Sequence, residues 1–303
     1  MKSKMSWLLL AMVSVTVGFS SCDNNDDDGP TGPDNVAGIV ASNPSFSILN
    51  TAINRAGLGS ALSGGTLTVF APDNAAFEAS GISLATVNAL PVPALDSILK
   101  YHVLGSTVSS GAVPVSDAVS TLLGTRLFAS RNTNGVFANG IKVKTADVPA
   151  ANGVIHVIER VLTPPTRTIA QIVSGDTSFS ILLAAVVRAG LADAVAQPGK
   201  YTVFAPTNAA FRAAGFADAA AINAANQTVI TNVVRQHVLT TNVFASDLTE
   251  GATPTTLQAN TLTINLNPVR VKVTGSANAS SNVTTANVVA TNGVIHIIDR
   301  VLL

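Results

Sequence analysis

Four histidines are the side chains of this sequence best suited to hold a metal or move a proton, and they form two spaced pairs: His102 with His156, and His237 with His296. An imidazole can ligate through either ring nitrogen or act as a base near neutral pH. Two per half could begin a metal site, but closing one takes carboxylate or thiolate ligands, and the sole thiol, Cys22, lies far from both pairs. No metal and no cofactor is expected. Catalysis would need a nucleophile beside a base with an orienting acid. The serines form no G-x-S-x-G elbow, and no G-x-x-x-x-G-K-[ST] or G-x-G-x-x-G loop is present to cradle phosphate. The acids after residue 35 are scattered, with Glu159 and Asp299 beside Arg160 and Arg300. No catalytic residue is assigned, and the chain reads as a non-enzyme.

The neighbours of the histidines say what positions them. Leu95, Ile98 or Leu99, and His102 recur at helical spacing, as do Ile230, Val233 or Val234, and His237. Val154, His156 and Ile158 alternate along a strand pattern, and so do Val294, His296 and Ile298. All four are therefore expected in the core, with their ring nitrogens satisfied by backbone groups.

Behind this lies a duplication. Thr68 to Phe77 reads TVFAPDNAAF and Thr202 to Phe211 reads TVFAPTNAAF, while NGVIH recurs at Asn152–His156 and Asn292–His296. Such a long period means tandem domains. Each copy opens with an amphipathic helix: Phe46, Leu49, Ile53 and Ala56 follow Ser45, a candidate N-cap, and stop at Gly57. In the second copy Thr177 precedes Phe179, Leu182 and Val186, and Gly190 ends the run. TVFAP is a short strand halted by proline, and Asp73 or Thr207 caps the helix after it.

The last third of each copy is β-rich, with strand patterns at 125–129, 141–144 and 154–162, then at 261–266, 269–273 and 294–302. Asn139-Gly140, Asn152-Gly153 and Asn292-Gly293 are turn signals. Helices first and antiparallel strands later argue an α+β domain. His102 to His156 is five positions shorter than His237 to His296, and Asn278–Asn282 is the expected site of that insertion.

The first residues are of another kind. Lys2 and Lys4 precede an apolar run from Trp7 to Val17, too short to span a bilayer and patterned as a secretory signal. Cys22, after Ser20 and Ser21, resembles the modified cysteine of a bacterial lipobox, with Phe19 standing where that motif has an aliphatic residue. Asp23 to Asp34 is then a polar tether that reaches up to roughly 40 Å when extended. Its acidic cluster reads equally as a solvated linker or as resembling the surface-export signal of Bacteroidetes lipoproteins. With the signal and tether set aside, fifteen bases face twelve acids, +3, which excludes a nucleic-acid partner.

TVFAPxNAAF, a Tyr-His segment and NGVIHVIxxVL, all in order, resemble the fasciclin (FAS1) domain family. The resemblance implies two tandem fasciclin domains in a bacterial lipoprotein, each a β-sandwich-like wedge with short packed α-helices. Together with the N-terminal patterns it gives the expected segments: a signal peptide at 1–21, lipidated Cys22 with its tether at 22–35, domains at 36–163 and 168–303, and a linker at 164–167. It also implies cell adhesion through the Tyr-His segment, which makes Tyr101, His102, Gln236 and His237 the candidate partner-binding residues. Gln236 departs from the pattern.

The expected role is a non-enzymatic adhesion or binding lipoprotein, secreted by the general pathway and anchored in the outer membrane, facing the periplasm or the outside. Its partner would be an extracellular protein or polysaccharide surface. The alternatives are a structural envelope or biofilm-matrix component without a discrete ligand, and a glycan or small-ligand capture module.

Overall fold

The computed structural model describes residues 34–114 and 116–303. The signal segment, Cys22 and the tether up to residue 33 lie outside the described residues. The first copy begins with helices α1 (Val36–Ser42), α2 (Ser47–Ala56) and α3 (Gly59–Ser63). Strand β1 (Leu67–Pro72) leads to α4 (Asn74–Ala79), α5 (Leu84–Ala89) and α6 (Val92–Tyr101). The strands β2 (Val103–Leu104), β3 (Ser116–Ser120), β4 (Arg126–Asn132), β5 (Gly135–Ala138), β6 (Ile141–Ala150) and β7 (Gly153–Ile158) complete it.

The second copy repeats the order. Its helices α7 (Ile169–Ser174), α8 (Ser180–Arg188) and α9 (Ala192–Ala196) precede β8 (Tyr201–Pro206). Next come α10 (Asn208–Ala213), α11 (Ala219–Ala224), α12 (Gln227–Gln236) and β9 (Val238–Leu239). It closes with β10 (Leu262–Asn265), β11 (Arg270–Val273), β12 (Ser281–Ala290) and β13 (Gly293–Ile298). An isolated bridge between Thr255 and Thr261 stands where β3 would repeat. Residues 274–280 join β11 to β12, where copy one has only Asn139-Gly140, so the longer loop falls beside the expected position.

Asp73 and Thr207 cap α4 and α10 as expected, accepting from the N–H groups of Ala76 and Ala210. The next residue of the decapeptide has a second role. Asn74 Oδ1 accepts from Ile48 N at 3.1 Å and its Nδ2 donates to Pro44 O at 3.1 Å, so it caps the start of α2 from across the domain. Asn208 does the same to Ile181 N and Thr177 O. Ser45 is not the N-cap: it lies inside a 3₁₀ turn, Pro44–Phe46, whose own cap is Asn43. Gly57 ends α2 at φ 67°, a left-handed conformation that costs glycine little.

Each copy builds one sheet, ordered β2-β1-β7-β6-β5-β4-β3 in the first and β10-β11-β12-β13-β8-β9 in the second. The structure departs from the all-antiparallel expectation at the centre. There β1 runs parallel to β7, with Phe70 opposite His156, and β8 runs parallel to β13, with Phe204 opposite His296. Local turn signals could not reveal a pairing between segments so far apart in sequence. Every residue of β1 is buried, as befits a strand covered on both faces.

One face, through Val69, Ala71, Ile155 and Val157, packs on α1, α2 and α6. From the other face, Phe70 and Ile158 meet Leu127, Ala129, Val136 and Ala138 of β4 and β5. The sheet therefore curls over a second core, which gives the wedge. Copy two does likewise, with Val203, Ala205 and Ile295 toward the helices and Phe204 and Ile298 toward Leu262 and Ile264.

The Asn-Gly pairs divide into two devices. Asn139 (φ 49°) and Gly140 (φ 74°) form the two-residue turn between β5 and β6. In NGVIH the turn is one residue earlier, since Ala150 pairs with Gly153. There the Asn152 amide accepts from Val36 N and donates to Leu62 O, both at 2.9 Å, tying α1 and α3 to the sheet. Gly153 is fixed by close approach, because a Cβ would collide with the carbonyl oxygen of Leu67; Gly293 faces Tyr201 O in the same way.

Candidate functional site

The two helix-end histidines have one geometry. His102 follows α6; its Nδ1 lies 2.7 Å from Ile98 O, and its Nε2 accepts from Leu162 N at 2.9 Å. His237 follows α12 and repeats this with Val233 O at 2.7 Å and Leu302 N at 2.9 Å. Each ring must be neutral with its proton on Nδ1, because Nε2 faces an N–H donor. Burial pushes both pKa values down from 6.5 to about 4, against a smaller upward pull from the carbonyl on Nδ1. These rings pin the segment after the last strand to the C-terminal end of α6 or α12.

The strand histidines use the other tautomer. His156 Nε2 lies 2.9 Å from Val108 O and its Nδ1 accepts from Asp147 N at 3.2 Å. His296 repeats the pattern with Val243 O at 2.8 Å and Asn287 N at 3.4 Å. Their rings lie 5.5 Å from those of Phe70 and Phe204. Burial lowers the pKa of His296. Each of the four imidazole lone pairs thus takes a backbone N–H. Among the described residues, no group of three or more His, Cys, Asp or Glu could hold a metal ion.

Tyr101 is fully buried. Its hydroxyl donates to Arg126 O at 3.0 Å and accepts from Asn139 Nδ2 at 2.8 Å, while Asn139 Oδ1 accepts from Phe128 N at 2.9 Å. Burial pushes its phenol up to about 12, partly opposed by the Asn139 hydrogen bond. In copy two Gln236 Oε1 accepts from Asn260 Nδ2 at 2.6 Å. All four candidate partner-binding residues, Tyr101, His102, Gln236 and His237, therefore point inward, and none offers a partner direct contact.

The contact between the two copies joins unlike surfaces. Phe128 of β4 packs on Phe244 with ring centroids 5.8 Å apart, over Val294 and Val289. Around this apolar centre Ser130 Oγ donates to Asp247 Oδ1 at 2.5 Å, and Asn132 Nδ2 donates to Ser246 O at 2.7 Å. Lys200 and Asp117 form an exposed ion pair at 2.6 Å, and that hydrogen bond holds the Asp117 carboxyl below its usual range. Gly140 matters here, because a Cβ would come within 3.0 Å of the Phe244 ring and 2.7 Å of Asn287 Nδ2.

Beside this contact lies a cleft of about 810 Å³ between the copies. The Thr163–Arg167 connector and Ile172 line it together with Lys142, Glu159 and Arg160 from copy one and Asn287 and Val288 from copy two. Two further cavities, equivalent in the two copies and reached by His102 and His237, hold only about 40 and 50 Å³.

The fasciclin domain model matches residues 44–164 and 177–303. The chain belongs to the fasciclin family. Transforming growth factor-beta-induced protein ig-h3 of Sus scrofa is 30% identical over 82% of this chain, which spans about a third (35%) of that relative's length. Cell surface glycolipoprotein MPB83 of Mycobacterium bovis is 32% identical over 48% of this chain and 71% of its own. A solved FAS1 domain pair from the insect cell adhesion molecule fasciclin I aligns with a TM-score of 0.42 and 18% identity, covering 88% of this chain and 95% of that one.

The fasciclin motifs thus mark scaffold positions. Asp73, Asn74, Asn152, Gly153 and the histidines all hold elements together within one domain. What the sequence patterns did not reveal is the junction. Its signal was faint: Phe244 is an aromatic residue in a loop where copy one has Ser109.

Proposed function

We propose that this protein is a non-enzymatic, cell-surface binding lipoprotein in which two fasciclin domains act as one body on an extracellular partner or matrix. One observation carries this reading: Phe128 and Phe244, flanked by Ser130, Asn132, Ser246 and Asp247, join the domains through a packed contact, so the exterior is a composite surface. A polar contact of this kind around an aromatic centre favours a defined orientation over free domain swing. The rings that could do chemistry serve the interior, which leaves shape and surface charge as the means of action.

The cell-surface part of the reading draws on MPB83, which is described as a cell surface glycolipoprotein. Lipid attachment at Cys22 would supply the anchor, and the acidic tether would hold the domain pair away from the bilayer. Replacing Cys22 with Ser should move the protein from the membrane to the soluble fraction; unchanged fractionation would sink the anchor. For the binding role, the full chain coupled to beads should retain extracellular matrix material, and Phe244→Ser should weaken retention. Equal retention by bare beads would remove that role.

A further inference from the structure

Three bases gather in the cleft at the domain junction. Lys142, Arg160 and Arg167 line the cleft of about 810 Å³ with a single acid, Glu159. All four side chains are exposed, and among the described residues none of the three bases has an ion-pair partner. Copy two shows the neutralised version of the same place. Glu159 N donates to Lys142 O at 3.1 Å, and Asp299 N donates to Asn282 O at 3.2 Å, which makes the two pairs equivalent. There an amide replaces the lysine, and Asn282 donates to Asp299 from Nδ2 at 2.6 Å and from its backbone N at 2.7 Å. Lys142 and Arg167 are thus the positive charges that copy one and the connector add to the acid-arginine pair both copies keep, Glu159-Arg160 and Asp299-Arg300.

We propose that this cleft binds a segment of acidic polysaccharide, a deepening of the surface-binding role that rests on that role. Arg160 and Arg167 offer paired N–H groups that match a carboxylate or sulfate, and Lys142 adds a mobile charge. Sugar hydroxyls would meet the Thr163 and Thr166 hydroxyls and the Asn287 Nδ2, which has no hydrogen-bond partner among the described residues. Pro164, Pro165, Ile172 and Val288 give the apolar patches on which the C–H faces of sugar rings pack. An acidic peptide fits less well, since strand addition needs backbone donors and the two prolines of the connector have none. Nucleic acid fits less well too. The one aromatic residue of the lining, Phe137, is buried and offers no face for base stacking.

The test uses the full chain, with polygalacturonate as the probe and dextran, heparin and polyglutamate beside it. Polygalacturonate should bind, dextran should not, and the triple variant Lys142→Gln/Arg160→Gln/Arg167→Gln should bind roughly tenfold or more weakly. Arg300→Gln, the equivalent position of copy two, should change affinity by less than about twofold. Polygalacturonate should also raise the melting temperature of the wild type and not of the triple variant, whose own melting temperature should match the wild type because the three side chains are exposed. Heparin outcompeting polygalacturonate with the same loss in the triple variant supports the proposal and makes the sulfate ester the recognised anion. Equal binding by the triple variant, equal binding of dextran, or tighter binding of polyglutamate overturns it. Retention of extracellular matrix by wild type and triple variant alike would overturn the cleft and leave the surface-binding role standing; loss of retention by both would remove that role.

Discussion

The turn after Val108 in the first domain and the turn after Val243 in the second are the same backbone device with opposite fates. In both, the carbonyl of that valine meets a strand histidine, and the next N–H but one donates to a side chain at the β-bulge: Ser110 to Asp147, Ala245 to Asn287. Ser109 and Ala112 of the first turn are exposed. Phe244 and Asp247, at the matching positions of the second, are buried or half-buried against β4 of the first domain. Two residues thus turn a solvated loop into a domain interface without altering the scaffold beneath. Duplication supplies the fold, and asymmetry between the copies supplies the junction.

The two copies should fail alike at their shared glycine. Gly153→Ala should unfold the first domain and Gly293→Ala the second, each costing more than about 4 kcal/mol, because backbone oxygens occupy the space of the new Cβ. Thermal melts of the two variants would read this, and a mild effect in either would break the equivalence. Next in size, His102→Phe and His237→Phe should each cost about 3 kcal/mol in denaturant unfolding, since each strands a buried N–H and a buried carbonyl.

Acid should act through the same rings. Their folded pKa is about 4 against 6.5 unfolded, so as pH falls the unfolded chain takes up protons first. Stability should be intact above pH 6.5 and decline from there towards 4, by up to about 3 kcal/mol for each histidine. Urea midpoints across that range would check it, and the decline should shrink in the double Phe variant.

Smaller effects sharpen the difference between the copies. Phe244→Ser, which installs the residue of copy one, should cost about 2 kcal/mol and uncouple the unfolding of the two domains. Ser109→Phe should leave stability within about 0.5 kcal/mol, because Ser109 is exposed. Least of all, Lys200→Ala should change stability by under about 0.5 kcal/mol, and less at high salt, since its ion pair is exposed.

Periodicity and turn chemistry carried much of the fold. The decapeptide joint, the helices ending in His102 and His237, and the alternation around His156 and His296 are local patterns, and the structure keeps them. The short helices α1, α3, α5, α9 and α11 carry too few residues for a 3.6 period to stand out. The parallel β1–β7 pairing is non-local and leaves no turn signature. The site was less legible. Tyr101 and His102 drew attention by their types, yet their neighbours bury them, whereas Lys142, Arg160 and Arg167 are ordinary surface bases until the fold gathers them around the connector. Spacing along the chain cannot report a cleft that two domains make together.

An interface that only the second copy's turn can make should hold the two domains as one body. Spin labels at Glu78 and Arg212, exposed positions with the same place in α4 and α10, would test it by pulsed electron resonance in the full chain, with Cys22→Ser removing the native thiol. A single narrow distance distribution is predicted for this chain, broadening in Phe244→Ser. A broad distribution before that substitution, or a narrow one that survives it unchanged, would contradict the account.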